Sequence, residues 1–231
     1  MKILCTICAR SGSKNLPKKN FKKLKGKPLI CYTIEQAIKS KLYHKVVLSS
    51  DDPKIFNIGK KYNIDVWFLR PKNLSGDKIA KIPVIRHSLN KAEKYFKTKF
   101  DVIHDLDVTS PLREVSDIIK AQKIFASNKA KNLITGCVAR KNPYFNMIEI
   151  DNYNRISISK KSINYARRQD APKVYEMNAS IYIWKRKTLL QDKKLINNKT
   201  VFYKMPSKRS TDIDSNFDWK IVEYLINNNN D

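Results

Sequence analysis

Apolar residues fall in short runs separated by polar, lysine-rich stretches, and the period of each run predicts its element. Residues 3–9, Ile-Leu-Cys-Thr-Ile-Cys-Ala, form a continuous apolar run of strand length, read as a buried strand. Residues 28–39 carry Leu29, Ile30, Tyr32, Thr33, Ile34, Ala37 and Ile38 at helical spacing, with Pro28 suited to a first turn. The pattern continues with a strand at 45–50, a helix at 53–62, a strand at 66–69 and a long helix at 79–96. A strand at 101–107 ends in acids, and a helix at 115–127 and a strand at 133–139 follow. This alternation predicts an α/β fold with a doubly wound, mostly parallel sheet and helices on both faces. Such sheets bind ligands outside the carboxyl ends of their strands, where the strand order switches.

The pattern changes after residue 140. Residues 143–173 have weak periodicity, several aromatics and the basic pair Arg167-Arg168, which reads as a hairpin-rich excursion. Strand patterns return at 178–185 and 201–205, and a helix at 217–226 precedes an Asn-rich tail. The expected organisation is one domain, 1–231, with a small inserted hairpin subdomain at 141–175.

Composition narrows the function classes. With 42% hydrophobic residues and 5 glycines in 231, the chain is neither collagen-like nor disordered. Lys+Arg is 47 against 21 for Asp+Glu, a formal charge of +26. That excess suits an anionic partner, but most of it is lysine spread along the whole chain, which reads as solvated surface. No aromatic-basic RNA motif, helix-turn-helix signature or clustered basic helix supports a nucleic-acid-binding protein. No apolar run approaches the roughly 18 residues of a membrane helix, and the first run lacks signal-peptide flanks, so a cytoplasmic protein is expected. Cys5 and Cys8 form C-x-x-C within a strand pattern, where a three-residue offset sends the side chains to opposite faces. All four cysteines are expected as buried small hydrophobes. His44, His87 and His104 are scattered and join no metal set or nucleophilic triad.

Candidate chemistry starts where the first strand ends. Residues 9–20, A-R-S-G-S-K-N-L-P-K-K-N, combine small residues with four cations. Small residues let backbone N–H groups approach an anion, and Arg and Lys neutralise phosphate. Neither G-x-x-x-x-G-K-[ST] nor G-x-G-x-x-G is present. Position favours a nucleotide site over an ordinary charged loop, because the segment follows strand one of an α/β sheet. Asp212-Ile213-Asp214, if extended, presents both acids on one side. The alternative is a cap, with Asp214 or Ser215 starting the last helix.

The same segment resembles the first signature of the N-acylneuraminate cytidylyltransferases, A-R-x-x-S-K-G-[LIV]-x-x-K-N. Further resemblances follow in order: Leu69-Arg70-Pro71 with Leu74; Thr109-Ser110-Pro111-Leu112-Arg113; Arg168-Gln169 with residues 178–183, N-A-S-I-Y-I; and residues 210–214, S-T-D-I-D. The resemblance spans nearly the whole chain. It implies a Rossmann-like nucleotidyltransferase that joins CMP from CTP to a nonulosonic acid (sialic, legionaminic or pseudaminic type), releasing pyrophosphate with Mg2+ as cofactor. It implies that Arg10 and Lys19 act on the triphosphate. Asp212 and Asp214 would ligate the metal. Ala9, Ser13, Lys14, Asn20, Arg70 and Ser110 would hold the nucleotide, and Arg168, Gln169, Asn178 and Tyr182 the sugar. It also implies a homodimer in which the hairpin subdomain meets a second subunit. A 3-deoxy-octulosonate or other sugar nucleotidyltransferase is the alternative enzyme.

Three departures from that pattern matter. Ser11 and Asn15 stand where relatives often carry Gly, and Lys81 falls near a nucleotide-binding Ser of some relatives. Asp107 replaces a Gln that sialate enzymes link to the sugar, which makes legionaminic- or pseudaminic-type acids at least as plausible as sialic acid. Asp107 ends a strand and has Asp105 two residues back on the same face. Two such carboxylates call for a metal, a cation or a shared proton. General base, magnesium ligand beside Asp214, and acceptor for the Thr109-Ser110 turn are its three candidate roles.

Overall fold

A computed structural model gives the structure of residues 1–13, 15–160 and 165–228. β1 (Ile3–Cys8) is followed by a tight hairpin of β2 (Lys23–Leu24) and β3 (Lys27–Pro28), then α1 (Leu29–Ser40), β4 (Lys45–Ser49) and α2 (Lys54–Lys61). Lys25 and Gly26 both take positive φ, 48° and 76°, as a two-residue turn between twisted strands requires. Next come α3 (Lys81–Tyr95), β5 (Val102–Leu106), α4 (Val115–Ser127) and β6 (Asn132–Val138). A separate hairpin, β7 (Ile148–Ile150) and β8 (Ile156–Ile158), lies between β6 and the next strand. β9 (Tyr175–Lys185), α5 (Arg186–Gln191), β10 (Thr200–Lys204) and α6 (Asn216–Asn227) complete the chain.

The main sheet has six strands in the order β10-β6-β9-β5-β1-β4. β1 pairs parallel with both β4 and β5, β10 pairs parallel with β6, and β9 runs antiparallel to β5 and β6. Five strands therefore point one way and β9 alone is reversed. Alternation along β1 divides the core. Ile3, Cys5 and Ile7 pack with α1, α4 and α6 residues such as Ile34, Ile118 and Trp219. Leu4 packs on the other face with Val47, Ile103 and α3 residues such as Ile85 and Leu89. Helices cover both faces, and the order switches at β1, which the chain leaves towards β4 and later re-joins through β5.

The strand expected at 66–69 does not form. Trp67 stacks on Tyr95 of α3 at 4.2 Å between ring centres, and Phe68 meets His87 edge-on at 5.5 Å, so packing on α3 takes the place of a ladder. The long helix starts at Lys81 instead of residue 79. Cys5, Cys31 and Cys137 are buried, but Cys8 is half-buried and borders the cleft described below. Among the described residues, no helix is long and apolar enough to cross a membrane.

Candidate active site

The carboxyl ends of β1 and β5 open into a cleft of about 560 Å3, at the switch in strand order. Backbone bonds fix its first wall. Ala9 is fully buried and its N–H donates to the Ser49 carbonyl at 2.9 Å, which docks the end of β1 on β4. Ser11 donates from its backbone N (2.8 Å) and Oγ (2.7 Å) to Asp51, just after β4. Arg70, almost wholly buried, lies 3.8 Å from the same carboxylate. Burial would raise the Asp51 carboxyl, but these bonds and the Arg70 charge hold it below its ordinary value.

The chain then turns through Lys18, at φ 55°, and delivers Lys19 and Asn20 to the cleft floor. Asn20 Nδ2 donates to the Arg10 carbonyl at 2.9 Å, and its buried Oδ1 has no partner among the described residues. Lys19, only 8% exposed, donates to the Ile213 carbonyl at 2.5 Å and to Asp214 Oδ1 at 2.9 Å. Arg10 Nη1 reaches Asp77 Oδ1 at 2.7 Å on the opposite lip. Lys14 lies outside the described residues.

The second wall is the end of β5. Lys81 Nζ lies 3.0 Å from Asp105 Oδ2 and 2.5 Å from Asp107 Oδ2. The paired carboxylates thus find a cation within the chain itself. Asp107 Oδ1 accepts from Thr109 N (3.1 Å) and Oγ1 (2.9 Å), the expected turn contacts. Burial pushes the Asp107 carboxyl up, but Lys81 and Thr109 outweigh it and hold it down at about 2. Arg113 is 2% exposed and braces this corner, donating to the Ser180 carbonyl (2.6 Å), the Asp107 carbonyl (3.2 Å), Thr33 Oγ1 (3.1 Å) and Gln36 Oε1 (2.8 Å).

Asp212-Ile213-Asp214 closes the floor, with Ile213 N donating to the Thr109 carbonyl at 3.0 Å. Ser215 caps α6 in a reciprocal box with Asp218, so Asp214 is left to pair with Lys19. Asp212 is raised to about 6, first by burial and then by repulsion from Asp107. Its buried Oδ1 has no hydrogen-bond partner among the described residues.

Of the residues singled out in the sequence, Arg10, Ser13, Lys19, Asn20, Arg70, Asp107 and Asp214 line the cleft. Ser110 is buried behind it, its Oγ without a partner among the described residues. Asn178 is a buried connector, accepting from Thr135 Oγ1 at 2.7 Å and donating to Ser210 Oγ at 2.9 Å. Tyr182 borders a neighbouring pocket of about 260 Å3 together with Trp184 and Lys81. Arg168 and Gln169 are exposed in a turn before β9, with Arg168 donating to the Ala139 carbonyl at 2.7 Å. Two residues that sequence reasoning did not place here are Asp51 and Asp77; it placed Lys81 near the nucleotide but did not foresee its pairing with Asp105 and Asp107. Asp51 carried a signal, an acid immediately after the second core strand. The pairing of Lys81 with the two acids carried none among so many lysines.

Residues 4–214 match the family described as Cytidylyltransferase, from the second residue of β1 to the second cleft acid of the D-I-D segment. The chain belongs to the cytidylyltransferase family. Two relatives extend the match over essentially the whole of this cytidylyltransferase. "Post-translational flagellin modification protein B" of Campylobacter coli is 46% identical over 99% of this chain and 96% of its own length. "CMP-N,N'-diacetyllegionaminic acid synthase" of Campylobacter jejuni is 46% identical over 97% of this chain and 94% of its own. The fold is shared with a solved CMP:2-keto-3-deoxy-manno-octonic acid synthetase complexed with CTP. It has a TM-score of 0.68 at 16% identity, covering 98% of this chain and 99% of that one.

The donor set of the cytidylyltransferase fits a hard cation. Among the described residues, no three His, Cys, Asp or Glu side chains converge as a preformed metal site. Magnesium does not need one, because one or two carboxylates with substrate phosphates and water suffice. Asp212, with its orphaned buried oxygen and like-charged neighbours, and the exposed Asp214 are the acids suited to that task.

Proposed function

We propose that this cytidylyltransferase transfers CMP from CTP to the anomeric hydroxyl of a nonulosonic acid. A bond forms between the anomeric oxygen and the α-phosphorus, the α–β phosphoanhydride breaks, pyrophosphate leaves, and the hydroxyl proton passes to solvent. The observation that carries the proposal is the cleft at the β1/β5 switch, where Arg10, Lys19, Asn20 and Arg70 face Asp107 and Asp214. Phosphoryl transfer depends mainly on positioning and charge neutralisation, and these residues supply both. The relative named for N,N'-diacetyllegionaminic acid favours a legionaminic-type acid over sialic acid.

Each side chain then has a task. Arg10 and Lys19 rest on Asp77 and Asp214, and a triphosphate competes for both cations. Asp212 and Asp214 hold magnesium, which supplies charge neutralisation on the phosphates. Asp107, already engaged by Lys81 and Thr109, serves as a hydrogen-bond acceptor. Arg168 and Gln169 remain sugar contacts, delivered across a homodimer interface, since they do not line the cleft of their own chain. The test is a pyrophosphate-release screen with magnesium, crossing the four NTPs with sialic, legionaminic, pseudaminic and 3-deoxy-octulosonic acids. Release is expected with CTP and a nonulosonic acid. Preference for the octulosonate, or for another NTP, would refute the reading.

A further inference from the structure

Lys81 opens α3 and borders both the cleft and the neighbouring pocket, with a side chain 30% exposed. Its Nζ contacts Asp105 and Asp107 and stands 4.8 Å from the centre of the Tyr182 ring. Asp105 is fully buried and accepts from Thr6 Oγ1 at 2.8 Å through its other oxygen. The backbone behind Lys81 is also pinned. Glu93, later on α3, pairs with Arg186 at 2.7 and 2.8 Å, and Arg86 donates to the carbonyls of Leu189 and Asp192.

Two carboxylates around one ammonium, with the buried Arg113 guanidinium behind Asp107, form a charge-balanced cluster that keeps acceptor oxygens. A triphosphate and a sugar carboxylate are themselves acceptors and gain no hydrogen bond from such oxygens. A neutral donor does, and a hydroxyl is the donor that a sugar offers. Only part of Asp107 is free to accept. Thr109 fills both lone-pair positions of Oδ1, whereas among the described residues Oδ2 accepts from Lys81 alone. One acceptor position therefore remains on Oδ2.

We infer that Lys81 is a positioning residue for the sugar: it fixes Asp107 so that Oδ2 takes a hydrogen bond from one hydroxyl of the acceptor. Lys81 thereby governs sugar affinity and choice while leaving nucleotide affinity alone. This rests on the reading of the cleft as a CTP-dependent nonulosonate site.

The test combines calorimetric CTP binding with kinetics on the best acid of the panel, for Lys81→Met, Lys81→Arg, Asp107→Asn and the Lys81→Met/Asp107→Asn pair. CTP dissociation constants are expected within about twofold of the parent. For the acid, kcat/KM is expected to fall about tenfold or more in Lys81→Met and in Asp107→Asn, mainly through KM. The double variant is expected within about threefold of the worse single one, because both changes break one contact. Lys81→Arg should recover part of the loss. If Lys81→Met does not fold, Lys81→Arg and Asp107→Asn carry the test, since each keeps a cation beside Asp105. A tenfold loss of CTP affinity would make Lys81 a nucleotide contact and overturn the inference. Unchanged acid kinetics, or losses that multiply in the double variant, would overturn it too. A parent enzyme that uses none of the acids sinks the reading of the cleft and this inference with it. A parent that uses one, with variants that match it, sinks the inference alone.

Discussion

Lys19 reaches Asp214 from a buried stem, so its ammonium is held at the floor of the cleft and cannot swing into solvent. Removing one such donor from developing phosphoryl charge costs on the order of 2.7–4 kcal/mol, about 10²–10³-fold in kcat, by analogy with oxyanion donors. Lys19→Met should show that loss with little change in Tm, while Lys187→Met on the exposed side of α5 should show neither. Equal losses would mean that general charge, not position, matters. Asp212 carries a pH signature. An acid raised to about 6 in the fold binds its proton more tightly folded than unfolded. Its contribution to stability is therefore full below about pH 4 and lost as pH rises through about 6. Without divalent ions, urea titrations should find Asp212→Asn increasingly more stable than the parent between pH 4 and 7.5, although its turnover collapses. A variant that loses ground over that range would contradict the assignment. Much of this residue-level site was legible, because the loop after strand one and the acids closing strand five announce themselves by position. The cation that neutralises Asp105 and Asp107 was not. Lys81 is 24 residues from Asp105 in the sequence, and only the packing of α3 on the sheet, over β1 and β4, brings them together.

At the level of elements, the bulge between β6 and β9 connects fold to site. The register shifts between Ile134 and Gly136, and Ala179 is forced to φ 54°. A Cβ on Gly136 would come 2.2 Å from the Glu176 carbonyl oxygen and 2.9 Å from the Phe202 ring. Beyond the bulge, the Ser180 carbonyl accepts from Asp107 N at 3.1 Å and from Arg113 at 2.6 Å, so the bulge sets where β5 ends. Gly136→Ala should cost about 1–3 kcal/mol by overpacking, read from urea midpoints, and lower kcat as well. Ala179→Gly should relieve about 1 kcal/mol of left-handed strain. A neutral Gly136→Ala would show that the sheet adapts. Apolar periodicity located most strands and helices, and the α/β class with them. It could not give the direction of β9, because that depends on how a 36-residue excursion returns to the sheet. It also made a strand of 66–69, since a short apolar run looks the same whether it ladders or packs on a helix.

On the scale of the molecule, a share of the exposed apolar surface falls where the sequence lost its periodicity. Met147, Ile148, Ile150 and Ile156 of the hairpin and Tyr175 and Met177 of β9 are exposed. Exposed apolar groups in such number suit a subunit contact, which supports the proposed homodimer. Sedimentation should give twice the chain mass, and an Ile150→Asp/Ile156→Asp variant should run as a monomer with weakened acid binding. A monomeric parent with full activity would remove the dimer and the shared role of Arg168. The charge of +26 has no single stripe to explain in sequence, and the cations that matter to the chemistry are the few in the cleft. The most direct measurement is 31P NMR of the protein with magnesium, CTP and N,N'-diacetyllegionaminic acid. The account predicts that the three CTP signals give way to pyrophosphate and one phosphodiester coupled to the sugar anomeric carbon. CTP left intact, or hydrolysed to free CMP without a sugar phosphodiester, would contradict it.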